Sequence, residues 1–156
     1  PRHPERFDSV YSLCQQQGFA TVRRSSAAPV SAETSVLLGD TMGELLFLYA
    51  LADSAFVGGS LVPNGGHNLL EPAALGKPVL SGPHLFNFLE IAALMRNASA
   101  LQEVDDAHGL AVAVQRLFEL PRDAQQMAEA GLRVMRANQG ALQRLLDGLG
   151  RLIDRA

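Results

Sequence analysis

The sequence predicts an α/β fold, a parallel sheet with helices on both of its faces. Three observations carry this. Short runs of strand length alternate with longer stretches of helical periodicity along the chain. Most of the strand-like runs are apolar on consecutive residues, as strands buried on both faces are. One of them, Ala55-Phe56-Val57, enters a glycine-rich loop that opens onto a helix.

The elements follow in order. Glu5 to Gln17 carries Phe7, Val10, Tyr11 and Cys14 at helical spacing, and Gly18 stops it. Phe19 to Arg23 is a short strand, and Ser25 to Glu33 a polar, proline-containing loop with no motif value. Val36-Leu37-Leu38 is a buried strand that ends at Gly39-Asp40, and Gly43 to Ala52 a helix apolar nearly all round. Ser54 to Val57 is the next strand, followed by the glycine loop and a helix over Asn68 to Leu75 that ends at Gly76. Lys77 to Leu80 is a strand, Ser81-Gly82-Pro83-His84 a loop, and Phe86 to Asn97 a helix with Phe88, Ile91, Ala92 and Met95 on one face. A short edge strand at Ala100 to Val104 and helices over Ala107 to Leu120, Pro121 to Asn138 and Ala141 to Ile153 complete the chain.

At 156 residues this reads as one domain, large enough to bury a core. The composition, 47% hydrophobic and 19% charged, is that of a soluble globular protein, so the chain is expected to be soluble. A formal charge of −3 gives no reason to expect nucleic acid as a partner. The single cysteine, Cys14, excludes an internal disulfide and reads as a buried structural thiol. No apolar run reaches the roughly 20 residues of a membrane span, and no stretch reads as a signal peptide. Pro1-Arg2-His3-Pro4 has the character of a loop that follows a strand, so the chain is expected to lack its first strand and to be a piece of a longer protein.

The loop Gly58 to Glu71 holds the densest chemistry. Its two glycine pairs, Gly58-Gly59 and Gly65-Gly66, let backbone approach a ligand closely, and the N–H groups of the helix that follows favour an anion. Asn68 can cap that helix, and Glu71 falls in its first turn, where a carboxylate suits ribose hydroxyls better than a phosphate. A nucleotide held by phosphate and sugar is the implied ligand. The spacing is neither a GxGxxG fingerprint nor a Walker loop. Ligands of parallel α/β sheets bind at the carboxyl ends of strands. Pro1-Arg2, Asp40 to Glu44, Gly58 to Glu71 and Ser81 to Asn87 all follow strands, and are expected to converge on one edge.

Plainer readings compete. By spacing alone Asp40-Thr41-Met42-Gly43-Glu44 is a helix cap and a first-turn carboxylate, and Glu71 only complements a helix end. Arg2, His3 and Arg6 form a basic cluster where a guanidinium fork can neutralise a phosphate, although exposed arginines are usually just solvated. His67 and His84 are the other loop histidines. No carboxylate or histidine recurs at metal-ligand spacing, so neither a metal nor a cofactor is expected. Nothing looks like a dedicated nucleophile.

Taken together the motifs resemble a family. Pro1-Arg2-His3-Pro4-Glu5-Arg6-Phe7, Gly39-Asp40-Thr41-Met42-Gly43-Glu44-Leu45, Ala55-Phe56-Val57-Gly58-Gly59-Ser60-Leu61, Gly65-Gly66-His67-Asn68-Leu69-Leu70-Glu71, Gly82-Pro83-His84-Leu85-Phe86-Asn87-Phe88 and Asn138-Gln139-Gly140-Ala141 occur in that order. This arrangement resembles the C-terminal half of the 3-deoxy-D-manno-octulosonic acid (Kdo) transferases, from Pro1 to about Leu146. The Gly-Gly-His-Asn motif and the loop at Gly82 to Phe88 are the family-specific parts, while the run Glu71 to Gly76 is shared more widely among two-domain glycosyltransferases.

The resemblance implies an inverting, metal-independent transferase of GT-B architecture, two Rossmann-like domains of which this chain is the donor-binding one over residues 1–156. The donor would be CMP-Kdo and the acceptor a lipid A precursor in lipopolysaccharide synthesis. By motif match the CMP contacts fall on Pro1, Arg2, Met42, Gly43, Glu44, Asn68, Leu69, Leu70 and Glu71. No catalytic residue is assigned in this chain, because the family's base is a glutamate of the N-terminal acceptor domain. That domain also carries the membrane anchor and would place the parent protein on the cytoplasmic face of the inner membrane. Two alternatives stay open at this point: the donor domain of a GT-B enzyme using a UDP-sugar, and a non-catalytic module that binds a nucleotide or a protein.

Overall fold

The computed structural model describes residues 3–138. Elements alternate as α1 (Phe7–Gln16), β1 (Thr21–Arg23), β2 (Val36–Leu38), α2 (Leu45–Leu51), β3 (Ala55–Val57), α3 (Leu70–Ala74), β4 (Val79–Ser81), α4 (Leu89–Asn97), β5 (Leu101–Glu103), α5 (Ala107–Glu119) and α6 (Pro121–Asn138). The helix expected over Ala141 to Ile153 lies outside the described residues, as do Pro1 and Arg2. Every strand pairing is parallel, and the strands form two sheets, β1–β2 and β3–β4–β5. The chain divides after Leu51 into two compact units.

In the first unit, β1 and β2 pair in the register Thr21 to Val36, Val22 to Leu37 and Arg23 to Leu38. A two-stranded sheet covers little helical surface, and α1 has no fully buried residue. Cys14, expected to be buried, is accordingly half-buried. Helix α2 is apolar along its length, yet Leu45, Leu46, Phe47 and Leu51 are all exposed.

The second unit has helices against both faces of its sheet. Val57, Val79 and Leu101 point to one side, where they pack with Leu69 and Ala73 of the α3 region, Ala92 and Met95 of α4, and Ala130 and Val134 of α6. Leu80 points to the other, against Ala113 and Leu117 of α5, with Phe56 alongside. Period-two alternation within short strands thus feeds two cores at once. Asp106 caps α5 by accepting from the Gly109 N–H at 2.7 Å, a local bond that fixes where that helix begins.

Candidate functional site

The loops after β3 and β4 interlock. Ser60, fully buried, donates from Oγ to the Val57 carbonyl at 2.6 Å and accepts from the Gly82 N–H at 2.8 Å. The His84 N–H reaches the Ser60 carbonyl at 2.9 Å. A Cβ on Gly82 would stand 2.3 Å from that carbonyl oxygen, so only glycine lets the two loops approach this closely. Farther out, the Asn87 side chain donates to the Asn64 carbonyl at 3.3 Å. Gly65, at φ +84°, leaves no room for a side chain, since a Cβ would meet the Asn87 amide nitrogen at 2.2 Å. The motif at Gly82 to Phe88 therefore braces the glycine loop.

At the end of that loop Asn68 links the start of α3 to Glu71. Asn68 Oδ1 accepts from the Leu70 N–H at 3.0 Å, and its Nδ2 donates to Glu71 Oε1 at 3.1 Å. Leu69, not Asn68, is the boundary residue of α3, so the capping side chain sits one position earlier than the helix itself requires. Leu69 is fully buried in the core, with no part of it at the surface. Leu70 packs half-buried against the same core. Helix α3 has only five residues, too short for an extended macrodipole, and one of its N–H groups, that of Leu70, is already engaged by Asn68.

The other predicted group, Met42-Gly43-Glu44, belongs to the first unit. Met42 is 67% exposed and Gly43 adopts φ +83°, so the tip of this loop stands in solvent. Its flanks are pinned. Asp40, whose side chain is 1% exposed, accepts from Arg23 Nε at 2.6 Å, from Ser25 Oγ at 2.6 Å and from the Ser25 N–H at 2.8 Å. Glu44 accepts from Arg24 Nη2 at 2.9 Å and from the Thr41 hydroxyl. Asp40 is thus not a helix cap. It is the buried anchor of the loop, a role that its sequence spacing does not reveal. Burial would raise its pKa, but the Ser25 hydroxyl, the Ser25 amide and Arg23 outweigh burial and lower it to about 2. The Thr41 hydrogen bond, opposed by burial and helped by Arg24, likewise holds the Glu44 carboxyl below its ordinary value.

Sequence reasoning missed Arg23, Arg24 and Ser25. The signal that finds them is the register. Arg23 pairs with Leu38 across two parallel strands, so Ser25 falls beside Asp40 two residues farther on. Arg23 is held from two more sides, by Asp8 at 2.8 Å and by the face of Tyr11 at 5.3 Å.

Two surface clefts of the second unit lie elsewhere. One of about 560 Å³ is lined by Ser99, Gln102, Arg116, Asp123 and Arg133, among others, and one of about 320 Å³ by Asp53, Phe118 and Pro121 with their neighbours. Both border residues at the amino ends of strands, Ser99 before β5 and Asp53 before β3, away from Asn68 and Glu71. Among the described residues no group of three or more His, Cys, Asp or Glu is placed to hold a metal ion, and no helix is long and apolar enough to cross a membrane.

Comparison with known proteins gives a consistent answer. The 3-deoxy-D-manno-octulosonic acid transferase of Haemophilus influenzae is 45% identical over 156 residues, 99% of this chain and 36% of that protein. The enzyme of the same name from Bordetella pertussis is 44% identical over 151 residues, 96% of this chain and 35% of that protein. The chain therefore spans about a third of the length of these relatives. The crystal structure of the C-terminal CMP-Kdo binding domain of WaaA from Acinetobacter baumannii matches with a TM-score of 0.84 at 40% identity, covering 86% of this chain and 70% of that one. No family model matches. With that identity, that coverage and the shared arrangement of parallel strands and helices, this chain belongs to the 3-deoxy-D-manno-octulosonic acid transferase family and has the fold of its C-terminal domain.

Proposed function

We propose that this chain is the donor-binding domain of an inverting Kdo transferase, one that binds CMP-Kdo for transfer of Kdo to a lipid A precursor. The observation that carries the proposal is the likeness to a solved CMP-Kdo binding domain along nearly the whole chain. The loop geometry supports it, because the motif residues lie where parallel α/β sheets bind ligands, beyond the carboxyl ends of strands.

The residues take distinct roles. Asn68 holds one oxygen of the Glu71 carboxylate and leaves the other for a ribose hydroxyl. Met42 packs near the cytosine together with the backbone of Gly43 and Glu44. By motif match Pro1 and Arg2 are assigned to CMP, and the Arg2 guanidinium would offset the charge that builds on the departing phosphate. In the reaction the acceptor hydroxyl attacks the anomeric carbon of Kdo. Its proton passes to a base, the new C–O bond forms as the bond to the CMP phosphate breaks, and CMP leaves with the electron pair. The base and the acceptor site belong to an N-terminal domain, as does the membrane contact at the cytoplasmic face of the inner membrane.

Titration of the 156-residue chain with CMP and with UMP, followed by amide NMR, tests the proposal. CMP at millimolar concentration should shift Met42 to Glu44 and Asn68 to Glu71 and should bind more tightly than UMP. No shift at either segment, or a preference for UMP, overturns it.

A further inference from the structure

We propose that Arg24 is a positioning residue of the donor site, one that holds Glu44 and thereby sets the loop Thr41 to Glu44 against the nucleotide. The proposal rests on the assignment of Met42, Gly43 and Glu44 to CMP.

Two adjacent arginines leave the end of β1, and each takes a carboxylate from opposite ends of one loop. Arg23 takes Asp40 at the start, and Arg24 takes Glu44 at the finish. Only Thr41, Met42 and Gly43 lie between the two anchors, and Thr41 turns its hydroxyl back onto Glu44. The tip has no cover of its own, so its geometry comes from its ends.

The two anchors do different work. Arg23 and Asp40 form the structural one. Asp40 is buried, is hydrogen-bonded three times and shares its arginine with Asp8 and Tyr11. The Arg24–Glu44 pair is half-exposed, 39% and 31% by side chain, and such pairs add little to fold stability. What the pair does fix is position. The Glu44 carbonyl accepts from the Leu48 N–H at 3.0 Å, so Glu44 also opens the first turn of α2, and holding its side chain holds the joint between loop and helix. One charge-assisted hydrogen bond, from Arg24 Nη2 to Glu44 Oε1, does this holding, and an ammonium on a long stem can take its place.

The test is a double-substitution cycle in the 156-residue chain, with CMP as the probe and affinity read by NMR titration. R24Q should weaken CMP binding about tenfold, the loss expected for one charge-assisted hydrogen bond. Its thermal midpoint should stay within about 2 °C of the parent, as for other half-exposed pairs. R24K should recover most of the affinity. In an E44Q background the same R24Q change should cost nothing further, because Arg24 acts only through Glu44. Parental affinity in R24Q overturns the inference. So does a fall of about 8 °C in its midpoint, which makes Arg24 structural, or an undiminished effect of R24Q in the E44Q background, which puts Arg24 on the nucleotide itself. A parent chain that does not bind CMP overturns the donor-domain proposal as well. A parent that binds, with an R24Q that binds equally, overturns this inference alone.

Discussion

Replacing Asp40 with Asn separates charge from shape at the buried anchor of the first unit. The carboxylate is 1% exposed and accepts three hydrogen bonds from Ser25 and Arg23. Its pKa falls from an ordinary 3.8 to about 2, worth roughly 2 kcal/mol of stability at neutral pH. Asn keeps the outline but loses the charge and turns an amide N–H₂ toward donors, so D40N should cost about 2–3 kcal/mol at pH 7. The sign with pH follows from the depressed value. The contribution is fully present well above 3.8 and is lost as pH falls through about 2. The difference between parent and D40N should therefore shrink by about half at pH 3. Urea denaturation followed by tyrosine emission reads the correct part of the molecule. Tyr11 and Tyr49 are the two tyrosines of the sequence, both lie before Ala52, and there is no tryptophan. A loss below about 0.5 kcal/mol at pH 7, or an equal loss at pH 7 and pH 3, would refute the charge-based account.

Glu71→Ala should weaken CMP binding by roughly 1.5–3 kcal/mol and leave the far-UV spectrum and thermal midpoint near the parent's, as a half-buried first-turn carboxylate carries little packing. A variant that unfolds, or binds CMP as well as the parent, makes Glu71 structural. Ser60→Ala strips the buried Gly82 N–H of its acceptor and should cost about 1–3 kcal/mol in urea unfolding followed by far-UV circular dichroism; an unchanged midpoint would mean that the two loops hold each other without it. The 156-residue chain alone should form no product from CMP-Kdo and a lipid A precursor by mass spectrometry, because general-base assistance commonly contributes about 10²–10⁴-fold. Product from this chain alone would place a base within it, with Glu44 the first to substitute.

The order and kind of the elements were legible in the sequence because they depend on near neighbours. Apolar runs that end at glycine mark Val36–Leu38 and Ala55–Val57, helical spacing marks α1 and α4, and Pro121 opens α6. The motif loops were legible too, since their residues are contiguous, and their order in the chain was enough for a family resemblance. Tertiary structure alone decided which groups meet. The β1–β2 register brings Ser25 to Asp40 across 15 positions of chain, and Ser60 reaches Gly82 across 22. It also moved the start of α3 past Asn68 and buried Leu69, a residue matched by motif, wholly within the core. The physical reason is one of range. Propensity and periodicity act over a turn or a strand, whereas the pairing of a buried carboxylate is set by strand register and burial, which no local window of sequence contains.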